Sequence, residues 1–264
     1  MRHLSTLQDR IRGLSRLAGQ YVPDFAPSTL NGFLTDLRGF GHSTLTLAVH
    51  KETVPVEFAV EQATFMLFLG EKVCPKILSV NDISYVMEFL YPVMPDAYSL
   101  LDHELMLEKL IWNRSLDDVP YAKQIGDNSW ISELEKTIRV TVPDWALDTP
   151  CLIHGDPTID NTLVTKEGCT RIADPIPPHR LIRPSIKAID HSKLLQSLVG
   201  WEVVLRGAPY VEYAWPKFME DYDTAMRAVF WGMVALKRIA LRNSTSSAGK
   251  WAIQMAEEFR LCIS

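Results

Sequence analysis

The chain has 264 residues, 47% of them hydrophobic and 22% charged, an ordinary globular composition that excludes a disordered or fibrous class. Its net charge of −5 supplies no general attraction for nucleic acid or anionic lipid, so no nucleic-acid partner is expected and any anionic ligand needs a local site. The cysteines Cys74, Cys151, Cys169 and Cys262 are dispersed without a C-x-x-C pair, which argues against a zinc site or a compact disulfide framework.

The first residues read as an amphipathic packing helix over 3–19, with Leu4, Leu7, Ile11, Leu14 and Leu17 at three- and four-residue spacing. Arg10, Arg12 and Arg16 interrupt that segment, so it lacks the apolar core of a secretory signal, and no run approaches the roughly eighteen apolar residues of a membrane span. A soluble, cytoplasmic protein without membrane contact is the expectation. From Leu30 to Lys51 the texture turns β-rich, and the alternation of Leu45, Leu47 and Val49 predicts a strand over 44–51. Residues 59–72 predict a helix stopped by Gly70. Residues 73–80 and 83–91 predict two strands joined by an Asn81-Asp82 turn. Beyond Pro92 the patterning is helical, with helices predicted at 98–112, 129–138, 187–205, 214–241 and 246–261.

One segment breaks that helical run. Residues 151–185 read as a loop, a strand over 162–166, a Glu167-Gly168 turn, a strand over 170–174 and a proline-rich loop. Acidic and amide residues stand at both ends of this hairpin: Asp156, then Asn161 five residues on, and Asp174 eighteen residues after Asp156. A hairpin returns its ends to one place, so the three can face a common cleft. Phosphoryl transfer to a hydroxyl needs a carboxylate to accept the hydroxyl proton and hard oxygen ligands for magnesium, and this trio contains both.

His154-Gly155-Asp156 with Asn161, followed by Ile172-Ala173-Asp174-Pro175, resembles the aminoglycoside-phosphotransferase and protein-kinase-like superfamily. The stretch from Ala188 to Gly200, with Asp190, Lys193, Leu194, Ser197 and Gly200, resembles a helix of a bacterial branch whose second aspartate sits in an Asp-Pro pair. Some members of that branch are associated with surface-polysaccharide metabolism. The resemblance implies an α+β, bilobal kinase-like fold: a helical extension over 1–28, a small β-rich nucleotide-clamping lobe with one main helix over 29–91, and a mainly helical catalytic and acceptor-binding lobe over 92–264. It implies Asp156 as catalytic base, His154 as a brace of the catalytic loop, and Asn161 and Asp174 as magnesium ligands, with ATP or another nucleoside triphosphate and Mg²⁺ as cofactors. Asp190 is expected to cap its helix or tie down the loop, and Lys193 to be structural.

The same resemblance implies a phosphate-approaching turn at Gly39 and Gly41, which also reads as a plain β-turn, with Asn31-Gly32 as an earlier alternative. It implies a strand lysine, Lys51, paired with Glu61 of the next helix, although only ten residues separate Gly41 from Lys51 and Lys51 from Glu61. Glu88 and Leu90 fall in the segment resembling the interlobe hinge, whose backbone holds adenine.

Thr158 stands two residues after Asp156, where protein Ser/Thr kinases carry lysine, and no A-P-E element follows Asp174. Both favour a small hydroxylated acceptor such as a sugar, an aminoglycoside-like molecule or another polyol. His179, Arg180 and Arg183 either grip an anionic acceptor or form a solvated rim. The expected activity is an ATP- and magnesium-dependent phosphotransferase. The rival readings are a catalytically inactive kinase-like nucleotide-binding module, an atypical protein kinase, and a metal-dependent hydrolase, which lacks the further histidines it requires near Asp156. Oligomeric state is open.

Overall fold

The computed structural model describes residues 4–20, 32–36, 47–52, 57–93, 98–117, 119–120, 129–180, 184–207, 211–242 and 244–264. The expected turn at Gly39 and Gly41, the alternative Asn31 and the residue Arg183 lie outside them. The described chain is mixed α+β, with two antiparallel sheets and a larger set of helices.

The first sheet has the order β1-β2-β4-β3, built from β1 (Gly32–Asp36), β2 (Leu47–Glu52), β3 (Ile77–Val80) and β4 (Ser84–Glu88). Residues two apart on a strand share a face, and in an antiparallel pair directly opposed residues share one as well. Lys51 lies opposite Tyr85 and Val49 opposite Met87, so all four share one face, and all four are buried. Ala48 and Val86 form a separate small cluster with Leu78. Helix α2 (Glu57–Leu69) joins the larger core through Ala59, Ala63, Phe65 and Met66 and ends at Gly70, whose N–H bonds Met66 O, as the glycine stop predicted. The strand expected from residue 73 starts only at Ile77. The amides of Val73 and Cys74 turn back to Gly70 O, and Val73 O accepts instead from Ile172 N at 2.7 Å.

The second sheet, in the order β5-β6-β7, pairs β5 (Tyr91–Pro92) with the predicted hairpin, β6 (Thr162–Val164) and β7 (Thr170–Ile172). Residues Glu88 to Leu90 therefore carry the chain from one sheet to the other.

The helical part comprises α3 (Leu100–Leu107), continued by a π-helical turn over Glu108–Trp112, then α4 (Ser129–Ile138), α5 (Lys187–Leu198), α6 (Trp201–Arg206), α7 (Tyr222–Arg242) and α8 (Ser247–Ile263). Trp231 of α7, Trp251 and Phe259 of α8 and Leu195 of α5 are fully buried in its core. The single helix expected over 187–205 is two, because Gly200 takes φ +93° between α5 and α6. A Cβ built there would stand 2.3 Å from Ala18 Cβ, so glycine serves both the left-handed backbone and the close approach of the N-terminal segment. The helix expected from 214 begins at Tyr222, after Pro216 and a 3₁₀ turn over Lys217–Glu220. Helix α1 (Leu4–Leu17) packs on the helical part: Gln8 Nε2 donates to Met219 O at 2.8 Å and Arg10 pairs with Glu258.

Among the described residues no helix is long and apolar enough to cross a membrane.

Candidate functional site

The loop before β6 is set by what lies beneath it. Leu152, Ile153 and His154 are fully buried, anchoring the chain up to Gly155, which takes φ +88°, a conformation costly for a residue with a Cβ. That turn directs two consecutive amides at one carboxylate: Asp190 Oδ2 accepts from His154 N at 2.9 Å, and Oδ1 from Gly155 N at 2.8 Å. Trp112 Nε1 also donates to Oδ2, at 2.8 Å, from the π-helical turn after α3. Asp190 is completely buried and ties the loop down. Of the two roles expected for it this is the one formed, since Ile186 occupies the N-cap of α5.

Burial pushes the His154 imidazole down to about 4, so it is neutral near pH 7. Its Nδ1 faces Asp156 N at 3.4 Å, and its backbone oxygen accepts from Ile176 N at 2.8 Å. His154 thus braces the loop from below and also reaches the segment after Asp174.

Asp156 rises from this base with its side chain 30% exposed. Asn161 Nδ2 donates to Asp156 O at 2.9 Å and to Oδ2 at 3.1 Å. Because the amide nitrogen serves Asp156, the Asn161 side-chain oxygen is the atom a cation could use. The hairpin register brings Asp174 alongside: Thr162 lies opposite Ile172, and Ala173 N bonds Asn161 O at 2.8 Å. Asp174 itself takes φ +58°, uncommon for a residue other than glycine and of the kind stored at functional sites.

Asp174 meets the first sheet. Lys51 Nζ lies 2.6 Å from its Oδ2, with the lysine side chain only 2% exposed. Tyr85, cross-strand partner of Lys51, brings its Oη to 3.5 Å from Asp174 Oδ1 and donates to Gln62 Oε1 at 2.8 Å. Gln62 Nε2 in turn donates to Pro175 O at 3.1 Å.

The expected Lys51–Glu61 pair is therefore not the one formed. Lys51 is engaged by Asp174, while Glu61 pairs with His179 Nε2 at 3.0 Å and with Arg180 through Nε and through Nη2 at 2.6 Å. Hydrogen bonding to Arg180 holds the Glu61 carboxyl below its ordinary range. The physical reason is the rotation of α2, which points Gln62 at the Asp174 segment and its neighbour Glu61 at the following loop. Arg180, expected to grip an acceptor, holds that loop to α2. At the joint between the sheets, Glu88 Oε1 accepts from Lys76 N at 2.8 Å, its own N–H bonds Lys76 O, and Leu90 is buried.

Sequence reasoning passed over three further contacts, all from α5 and α6. Lys193 Nζ lies 2.9 Å from Asp156 Oδ1 with its side chain 13% exposed. Ser197 Oγ accepts from Ile159 N at 3.1 Å and donates to Glu202 Oε1 at 2.7 Å. Burial raises the Glu202 carboxyl to about 7. Asp190, Lys193 and Ser197 are three and four residues apart and so lie on one face of α5, held against the loop from His154 to Asn161. That polar stripe on a buried helix was the available signal.

Among the described residues no group of three or more His, Cys, Asp or Glu is arranged to hold a metal. The oxygen donors of Asn161 and Asp174 suit instead a magnesium ion that takes one or two protein ligands and completes its shell with phosphate and water. Comparison with known proteins returned no matching family model, no matching curated protein and no matching solved structure.

Proposed function

We propose that this chain is an ATP- and Mg²⁺-dependent phosphotransferase of the kinase-like, bilobal type, acting on a hydroxyl of a small molecule such as a sugar or other polyol. The observation that carries this reading is the convergence of Lys51, Asp156, Asn161 and Asp174. They come from a strand of the first sheet, a braced loop and both ends of the hairpin, and they are linked by the contacts at 2.6 Å and 3.1 Å described above.

In this reading Asn161 and Asp174 hold magnesium, which when bound neutralises charge on the β- and γ-phosphates. Lys51 turns from Asp174 toward the phosphates. The acceptor oxygen bonds to the γ-phosphorus as the bond from that phosphorus to the bridging oxygen breaks. The electron pair leaves on ADP and the hydroxyl proton passes to Asp156. Glu88 to Leu90 supply the joint against which adenine packs. The buried, neutral His154 keeps the loop in place and takes no part in the proton transfer.

A second reading, a nucleotide-binding module without transfer, is favoured by one observation, the engagement of Glu61 by Arg180 instead of Lys51. One experiment separates the two: labelled γ-phosphate transfer from Mg·ATP to a panel of sugars, aminoglycosides and a generic protein substrate. Transfer by the wild type, lost by more than about 100-fold in Asp156→Ala with ATP binding retained, is expected. Full turnover in Asp156→Ala refutes the assignment, and binding without any transfer establishes the module.

A further inference from the structure

The loop carrying Asp156 needs its backbone amides satisfied, and two α5 residues do that. Asp190 takes those of His154 and Gly155, and Ser197 takes that of Ile159. Lys193, between them on the same face, has only N–H donors and so cannot accept from an amide. It crosses to the side chain of Asp156, placing an ammonium 2.9 Å from Oδ1, while Asn161 donates to Oδ2 at 3.1 Å. Gln196, itself buried, steadies the ammonium from the same helix with Oε1 at 3.4 Å. Keeping a lysine side chain 87% covered is unfavourable unless the charge is paired, and here it is paired with the one loop carboxylate that carries chemistry. Within the loop itself the position two residues after Asp156 is Thr158, which is buried and supplies no cation. Arg180, the nearby basic residue of the following loop, is engaged by Glu61.

We propose that Lys193 is a positioning residue for phosphoryl transfer. It locks the Asp156 carboxylate between an ammonium on one oxygen and an amide on the other, and it offsets the repulsion between that carboxylate and the incoming phosphates. It takes no proton. The proposal rests on the phosphotransferase reading above.

The test uses Mg·ATP with water as the acceptor, so no unknown substrate enters. Water oxygen bonds to the γ-phosphorus, the bridging bond breaks with its electron pair on ADP, and the water proton passes to Asp156. Phosphate release, ATP affinity and thermal stability are measured for the wild type, Lys193→Met, which keeps the stem and loses the charge, and Lys193→Arg, which keeps the charge. The expected result is a kcat lower by about 100-fold in Lys193→Met, with Mg·ATP affinity changed less than about 3-fold and Tm within about 3 °C of wild type, and most of the loss recovered in Lys193→Arg. Equal kcat in wild type and Lys193→Met overturns the role of Lys193 and leaves the transferase reading standing. Equal losses in both variants, matched by a fall in Tm, make Lys193 a structural brace and also overturn it. A wild type that fails to bind Mg·ATP, or that binds it and transfers the γ-phosphate neither to water nor to any acceptor of the panel above, overturns the transferase reading and the lysine's role together.

Discussion

Asp190 accepts from three buried donors, the His154 and Gly155 amides and the Trp112 indole. Its removal leaves all three without that partner, and each orphaned buried donor costs about 1–3 kcal/mol. Asp190→Ala is therefore expected to lower the unfolding free energy by about 3 kcal/mol or more, read from the urea midpoint at unchanged slope. A loss under about 1 kcal/mol would show that the loop is held by other means. At this scale the sequence was legible where spacing constrains geometry: Asp156, Asn161 and Asp174 are brought together by a hairpin whose length is countable. It was not legible where a helix rotation or a long side chain decides. Glu61 and Gln62 are adjacent on α2, about 100° apart around its axis. The helix is apolar on most sides (Ala59, Ala63, Phe65, Met66, Leu69), so no stripe in the sequence tells which of the two turns toward Asp174. Lys193 likewise looks structural until its four-carbon stem is seen to reach Asp156.

The elements themselves were mostly readable, because β2, β4 and the hairpin carry alternating or β-branched residues bounded by turn formers, and α2, α4 and α8 carry recognisable ends. Two of the differences fall where one residue overrides a periodic pattern. Pro216 delays α7, and Gly200 splits the helix expected over 187–205 into α5 and α6. The split matters to the site, since it frees Glu202, at the start of α6, to accept from Ser197 beneath the Ile159 turn. Gly200 at φ +93°, with Ala18 Cβ 2.3 Å from where its own Cβ would sit, gives an element-scale prediction. Gly200→Ala should destabilise the protein by about 2–4 kcal/mol through backbone strain and overpacking. Adding Ala18→Gly should recover about 1 kcal/mol of that as a coupling term in a double-mutant cycle. Strictly additive effects would mean that the N-terminal segment at Ala18 and the α5–α6 junction do not meet as described.

At the scale of the whole molecule, the site exists because two sheets and a helical core share it. β2 and β4 bring Lys51 and Tyr85, the second sheet brings Asn161 and Asp174, and α5 fixes the loop that carries Asp156. Its charges are matched internally, Lys51 on Asp174 and Lys193 on Asp156. In the proposed reading, a magnesium ion held by Asn161 and Asp174 would replace the lysine cation at Asp174 and leave Lys51 to the phosphates. The most direct measurement is the thermal unfolding of the full chain with millimolar ATP, with and without Mg²⁺, for the wild type and Asp174→Ala. At 100 times the dissociation constant, bound nucleotide stabilises by about 2.7 kcal/mol, which for a chain of this size is a rise of about 5–10 °C in Tm. The predicted result is a rise of that order that requires Mg²⁺ in the wild type and loses its Mg²⁺ dependence in Asp174→Ala; an unchanged Tm at millimolar Mg·ATP would contradict the account at its centre.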